Sequence, residues 1–205
     1  MRLGLMGGTF NPPHIGHMNA ALAAKENIPL DKIILIPAGT PPHKTMAENS
    51  ASAEQRFEMT RLCADIIGAD VSDIEIRREG RSYTIDTLKE IKSLFPDDEL
   101  WLIVGTDMFL SMETWREHEK IFSLISLAVI PRKNSDLQEL TAHSEKLQSK
   151  YGVHSKIIET EAITISSSEI RPDSGGETMK KFLPKPVYDY IKEQGLYNVS
   201  RSDEA

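Results

Sequence analysis

Cysteine is nearly absent: Cys63 is the only one in 205 residues. A single thiol excludes an intrachain disulfide framework and leaves a cysteine-based zinc cage short of donors. Long hydrophobic runs are missing too. The longest near-continuous one, residues 121–130, is broken by Ser123 and Ser126 and falls well short of the roughly 20 residues that span a bilayer. The first residues lack the apolar stretch of a secretory signal. Nor is there a basic stripe. With 24 Lys and Arg against 31 Asp and Glu, the net charge is -7, which argues against general nucleic-acid binding. The expectation is a cytoplasmic protein without membrane or nucleic-acid partners, in which any anionic ligand must meet a local cationic pocket.

Hydrophobic residues make up 40% of the chain and charged residues 27%, the balance of a globular protein rather than a disordered one. The length suits a single domain with a real core. That domain is expected over residues 1–197, with 198–205 a frayed, flexible tail beyond the cap-like Gly195-Leu196. Short apolar runs alternate with helical patterns. This implies an α/β chain with a Rossmann-like, doubly wound parallel sheet of about five strands and helices on both faces.

The most informative stretch lies at the start. An apolar run at residues 3–6 reads as a short buried strand and breaks into Gly7-Gly8-Thr9-Phe10-Asn11-Pro12-Pro13-His14-Ile15-Gly16-His17. Glycines after a strand let the backbone approach a ligand closely. From Ile15, the apolar Met18, Ala21 and Leu22 recur at helical spacing. A strand, a glycine turn and a helix start make a site for phosphate, because the first helical N-H groups are unpaired and carry the positive end of the dipole. His14 and His17, three apart at the first turn, can share a face and point at that anion. With ordinary pKa values near ~6.5 they can donate hydrogen bonds neutral or charged. Glycines also end strands in proteins that bind nothing, and two such histidines can ligate zinc or pack in a core. No carboxylate cluster adjoins them.

Taken whole, the string resembles the H-x-G-H signature of the nucleotidyltransferase superfamily in the form of bacterial nicotinate-mononucleotide adenylyltransferases. The resemblance implies transfer of AMP from ATP to nicotinate mononucleotide, giving nicotinate adenine dinucleotide and pyrophosphate in NAD biosynthesis. It implies Mg2+ carried by the ATP phosphates, with no protein-held metal. It places Gly7, Gly8, Thr9 and Phe10 in the ATP site, with His14 and His17 at the phosphates.

Later segments fit the same family. After a second strand at Lys32–Pro37, Pro41-Pro42-His43-Lys44 leaves the ligand-binding edge. It resembles the family's loop beside both substrates, which implies Lys44 at a phosphate and His43 on the mononucleotide side. Residues 46–52 read as a loop able to close over the site. Along residues 53–67, Met59, Leu62, Cys63, Ile66 and Ile67 are expected to form one buried helical face. Residues 71–76 alternate as a strand, and Arg77, Arg78 and Arg81 read as a solvated patch. Ser82-Tyr83-Thr84 opens a helix that Thr84 or Asp86 can cap. By resemblance this segment reads the pyridine carboxylate, which puts Thr84 at the nicotinate end.

Gly105-Thr106-Asp107 ends a strand at residues 100–104. Here the family usually has G-A-D; Gly105 permits close approach and Asp107 is expected to accept from a ribose hydroxyl. By resemblance Trp115 stacks on the nicotinate ring, and Arg132, after the strand at Ile125–Ile130, lies near substrate phosphate. A last strand is expected at residues 156–160. Beyond it, Ile165-Ser166-Ser167-Ser168-Glu169-Ile170-Arg171 is similar to the family's S-S-T-x-I-R. That similarity implies Ile165, Ser166, Ser167 and Arg171 at ATP, with Arg suited to bidentate phosphate contact. Pro172 implies a short or broken helix behind Arg171. Two alternatives stay open. One is another transferase of the superfamily with a different acceptor, such as nicotinamide mononucleotide, phosphopantetheine or glycerol phosphate. The other is a non-catalytic nucleotide-binding module. Homo-oligomerisation is left open.

Overall fold

The computed structural model describes residues 1–41, 50–160, 163, 165–173 and 176–199. Its strands are β1 (Arg2–Gly8), β2 (Lys32–Pro37), β3 (Asp70–Val71), β4 (Glu99–Gly105), β5 (Ile125–Ile130) and β6 (Ser155–Ile157). Between and after them run α1 (Ile15–Asn27), α2 (Ala53–Ile67), α3 (Ile74–Arg77), α4 (Thr84–Leu94), α5 (Thr106–Ser111), α6 (His118–Leu124), α7 (Leu137–Tyr151), α8 (Ser167–Ile170), α9 (Glu177–Phe182) and α10 (Lys185–Gln194). The strands form one six-stranded sheet in the order β3-β2-β1-β4-β5-β6. Every pairing is parallel.

Each central strand reads as a continuous apolar run because helices cover both faces of the sheet. Alternate residues then serve different cores. Leu3, Leu5, Leu100, Leu102 and Val104 join the side covered by α3 to α7. Met6, Ile33, Leu35, Trp101 and Ile103 join the side covered by α1. A third cluster unites α2 with the C-terminal helices through Met59, Cys63, Val187 and Ile191. Among the described residues no helix is long and apolar enough to cross a membrane.

Several expectations need correction. The sheet has six strands rather than about five, and the third is only two residues long. Ile74 and Glu75 are adjacent and both buried, which one face of a strand cannot provide; the short helix α3 does. The last strand is Ser155–Ile157, so it begins one residue earlier than expected and ends short of residue 160. On α2, Ile66 is 51% exposed, turned away from the face of Met59 and Cys63. Tyr83, not Thr84 or Asp86, is the N-cap of α4, and no side chain caps it. Asn198 closes a short 3-10 turn and Val199 is buried, so packed structure extends past 197; residues 200–205 lie outside those described. Behind α8, Arg171–Asp173 continues as a 3-10 turn, the interrupted helix that Pro172 led us to expect.

Candidate active site

The strand order reverses between β1 and β4, the point where open α/β sheets bind ligands beyond their strand C-termini. A cleft of about 860 Å³ opens there. On it lie Gly7, Gly8, Thr9, Phe10, His14 and His17 from the first turn, and Gly105 and Asp107 from the end of β4. Thr84, Trp115, Arg132, Ile165, Ser166, Ser167 and Arg171 complete the gathering. Chain segments far apart in sequence thus converge on one cavity. His43, Lys44 and residues 46–49 lie outside the described residues. Ser50–Ser52 leads into α2, where Ser52 accepts the Gln55 N–H at 3.2 Å as a side-chain cap.

The histidine turn is tightly built. His14 is the N-cap of α1, and its backbone N–H donates to His17 Nδ1 at 3.2 Å. A neutral His17 therefore carries its proton on Nε2. The two rings stack with centroids 3.8 Å apart, and the buried Phe10 ring abuts His17 edge-on at 4.9 Å. Phe10 thus supports the turn from the core. Gly16 has a geometric cause: a Cβ there would lie 2.9 Å from His14 Nδ1. Gly7 differs, since a Cβ there would meet nothing within 4 Å; its bareness faces the cleft. His14 does not titrate near its ordinary value. Burial lowers its pKa to about 4, with Glu169 opposing, so the ring is neutral at pH 7. Among the described residues its Nδ1 is buried without a hydrogen-bond partner.

The serine-arginine segment docks onto this turn. Ser167 Oγ donates to the Pro12 carbonyl at 2.8 Å, and Arg171 Nη1 donates to the Asn11 carbonyl at 2.8 Å. Ser166 is committed differently from expectation. Its N–H and hydroxyl both donate to the Glu169 carboxylate, at 2.9 and 2.5 Å, so the start of α8 is capped by its own glutamate.

Asp107 and Arg132, each expected at substrate, face each other in an ion pair of 2.8 Å at the cleft mouth. Thr106, the departure from G-A-D, is buried and explained by its hydroxyl. It donates to Asp136 at 2.9 Å and accepts the Arg132 N–H at 2.9 Å, anchoring the loop after β5. The hydrogen bond from Thr106 is the main cause holding the Asp136 carboxyl below its usual range.

At the other end, Thr84 is the first residue of α4, and half-buried Trp115 follows the turn Met112–Thr114. The Arg116 guanidinium sits 4.8 Å over the Tyr83 ring, which brings the two segments together. Arg78 is not part of a solvated patch: it donates to Thr87 at 3.0 Å and to Glu90 at 2.6 Å. Arg77 pairs with Asp73 at 3.0 Å in solvent, as expected.

Two residues of this region escaped the sequence reading. Arg56 of α2 is almost wholly buried; Nη1 donates to the Thr9 carbonyl at 2.8 Å and Nη2 to the Gly39 carbonyl at 2.9 Å. It joins the turn after β1 to the loop leaving β2. Its sequence signal is its spacing to Met59, Thr60 and Cys63, which puts it on the buried face. Glu75, concealed by the strand reading, accepts from Thr87 at 2.7 Å, and burial pushes its carboxyl pKa up. Ser82 beside it accepts the Gly39 N–H at 3.0 Å. A Cβ on Gly39 would lie 2.2 Å from the Glu75 carbonyl oxygen, so only glycine permits this packing.

A doubly wound sheet whose glycine-histidine turn and serine-arginine segment meet at its switch point is the arrangement expected of a nucleotidyltransferase. The cytidylyltransferase-like family model matches residues 5–172. The chain is 41% identical to the "Probable nicotinate-nucleotide adenylyltransferase" of Citrifermentans bemidjiense, covering 96% of this chain and 98% of that protein. It is 39% identical to the protein of the same name from Desulfitobacterium hafniense, covering 97% and 96%. The chain belongs to the cytidylyltransferase-like family and, within it, to the nicotinate-nucleotide adenylyltransferases. Its fold matches the Plasmodium falciparum nicotinic acid mononucleotide adenylyltransferase complexed with NaAD at a TM-score of 0.77 and 21% identity, over 97% of this chain and 98% of that one.

Proposed function

We propose that the cleft carries out transfer of AMP from ATP to nicotinate mononucleotide. The observation that carries this reading is the docking of Ser167 and Arg171 onto the Pro12 and Asn11 carbonyls, which assembles one anion site from both phosphate motifs. An oxygen of the mononucleotide 5′-phosphate attacks the α-phosphorus of ATP. The new P–O bond forms as the bond from the α-phosphorus to the α,β-bridging oxygen breaks, and pyrophosphate leaves with that electron pair. The attacking phosphate is already ionised, so no protein nucleophile is required. Catalysis rests on positioning and on donors aimed at developing charge. His17 offers an Nε2 proton, His14 a neutral imidazole, and Arg171 and Lys44 positive charge. Mg2+ enters as part of the Mg-ATP substrate, since imidazoles, hydroxyls and guanidinium groups suit phosphate oxygens rather than an ion cage.

The acceptor lies toward Thr84 and Trp115. The start of α4 presents N–H groups and a positive dipole end to the pyridine carboxylate, and Trp115 stacks on the ring. Asp107 exchanges its partner Arg132 for a ribose hydroxyl, which frees Arg132 for phosphate.

The test is pyrophosphate release from Mg-ATP with nicotinate mononucleotide, nicotinamide mononucleotide, phosphopantetheine or glycerol phosphate at equal concentrations. Strong turnover only with the nicotinate form is expected. Preference for another acceptor would overturn the substrate assignment, and ATP binding without pyrophosphate release from any of them would point to a binding module.

A further inference from the structure

The chain does not end its structural work at α10. Gly195, in the left-handed region at φ 61, suffices to stop that helix. Two residues later Tyr197 is also left-handed, at φ 56 and ψ 32, and Asn198 follows at φ 62. A bulky side chain adopts this conformation at a cost in free energy, and it persists only where its surroundings fix it. Here the turn swings the phenol inward, where it is 4% exposed.

The hydroxyl reaches across 186 positions of sequence to donate to Asn11 Oδ1 at 2.6 Å. Asn11 is itself buried, and the same oxygen accepts the Ala51 N–H at 3.3 Å. The side chain of Asn11 is thereby pinned from two sides. Its carbonyl and that of Pro12 are the acceptors that hold Arg171 and Ser167. Tyr197 therefore stands one bond behind the junction of the two phosphate motifs. Burial keeps the phenol protonated, raising its pKa against the opposing pull of Arg171 and Arg56, so the donor is present throughout the neutral range.

We propose that Tyr197 is a positioning residue for the ATP phosphate site, its hydroxyl fixing Asn11 so that Arg171 and Ser167 are held against the histidine turn. This rests on the reading of the cleft as the site of adenylyl transfer.

The experiment is a kinetic double-mutant cycle, Tyr197→Phe against Arg171→Ala, followed by pyrophosphate release with Mg-ATP and nicotinate mononucleotide. Removing one oxygen keeps the apolar packing, and circular dichroism checks that each variant is folded. Tyr197→Phe is expected to lower kcat/KM for ATP about tenfold, as one net hydrogen bond implies, mainly through KM for ATP and with KM for the mononucleotide unchanged. In the Arg171→Ala background the second substitution is expected to add nothing. Wild-type kinetics in Tyr197→Phe would overturn the inference, as would losses that multiply in the double variant or an equal rise in both KM values. A wild-type protein inactive toward every acceptor would instead overturn the reading of the cleft.

Discussion

The His14 ring shows how one residue's surroundings decide its chemistry. Its sequence neighbours announce a histidine at a helix start but say nothing of the stacked His17 ring or of the burial that drives its pKa from an ordinary 6.5 to about 4. In the unfolded chain the imidazole binds a proton below about pH 6.5; in the folded chain it does so only below about 4. Between those values the unfolded state holds more protons. The stability contribution is thus complete above 6.5 and declines as pH falls toward 4, by up to about 3 kcal/mol. We predict that in urea unfolding the difference in stability between wild type and His14→Gln shrinks on going from pH 7 to pH 4.5. A difference independent of pH would show that His14 is not held neutral by burial. The spacing of the motif was readable in the sequence; the need for Gly16 and the protonation state were not, because they depend on where the His14 ring lies and what covers it.

Helix α2 shows the same division one scale up. Its bounds follow from a capping serine, an amphipathic stripe and the left-handed Gly68, all local signals. Arg56 was passed over because a charged residue in a helical pattern is assigned to solvent by default, although its spacing to Met59 and Cys63 puts it on the buried face. Only the tertiary fold supplies the Thr9 and Gly39 carbonyls that accept from its Nη1 and Nη2. In the same way, α3 read as a strand because Ile74 and Ile76 alternate, whereas the buried Glu75 needs Thr87 from α4 as a partner. Substituting Arg56→Met removes both charged hydrogen bonds and leaves two carbonyls dry. The expected loss is roughly 2 to 4 kcal/mol of unfolding free energy, whereas loss of the Ser52 cap through Ser52→Ala costs about 1 kcal/mol. Denaturant midpoints of the two variants give the comparison, and an Arg56→Met protein as stable as the cap variant would mean that the guanidinium does not join the two loops.

For the whole molecule, the doubly wound order follows from alternating strands and helices and from right-handed crossovers, so the convergence of Gly7, Gly105 and Arg171 on one edge was foreseeable. The depth at which Tyr197 joins that edge was not, because hydrogen bonds across 186 positions leave no periodic trace. A single cleft shared by ATP and its acceptor, as proposed, has a thermodynamic consequence. Each ligand stabilises the fold by mass action, about 2.7 kcal/mol at a hundredfold excess over Kd, or roughly 5 to 10 °C in Tm for a chain of this size. The Arg116 contact with Tyr83 brings the segment of Trp115 to that of Thr84, the proposed pyridine end, while the histidine turn and Arg171 form the proposed phosphate end. Trp115→Ala should therefore leave the Tm shift produced by Mg-ATP intact and reduce the shift produced by nicotinate mononucleotide to a small fraction. Thermal scans with each ligand alone separate the two halves of the cleft. An equal loss of both shifts would mean that Trp115 supports the cleft as a whole instead of stacking on the pyridine ring.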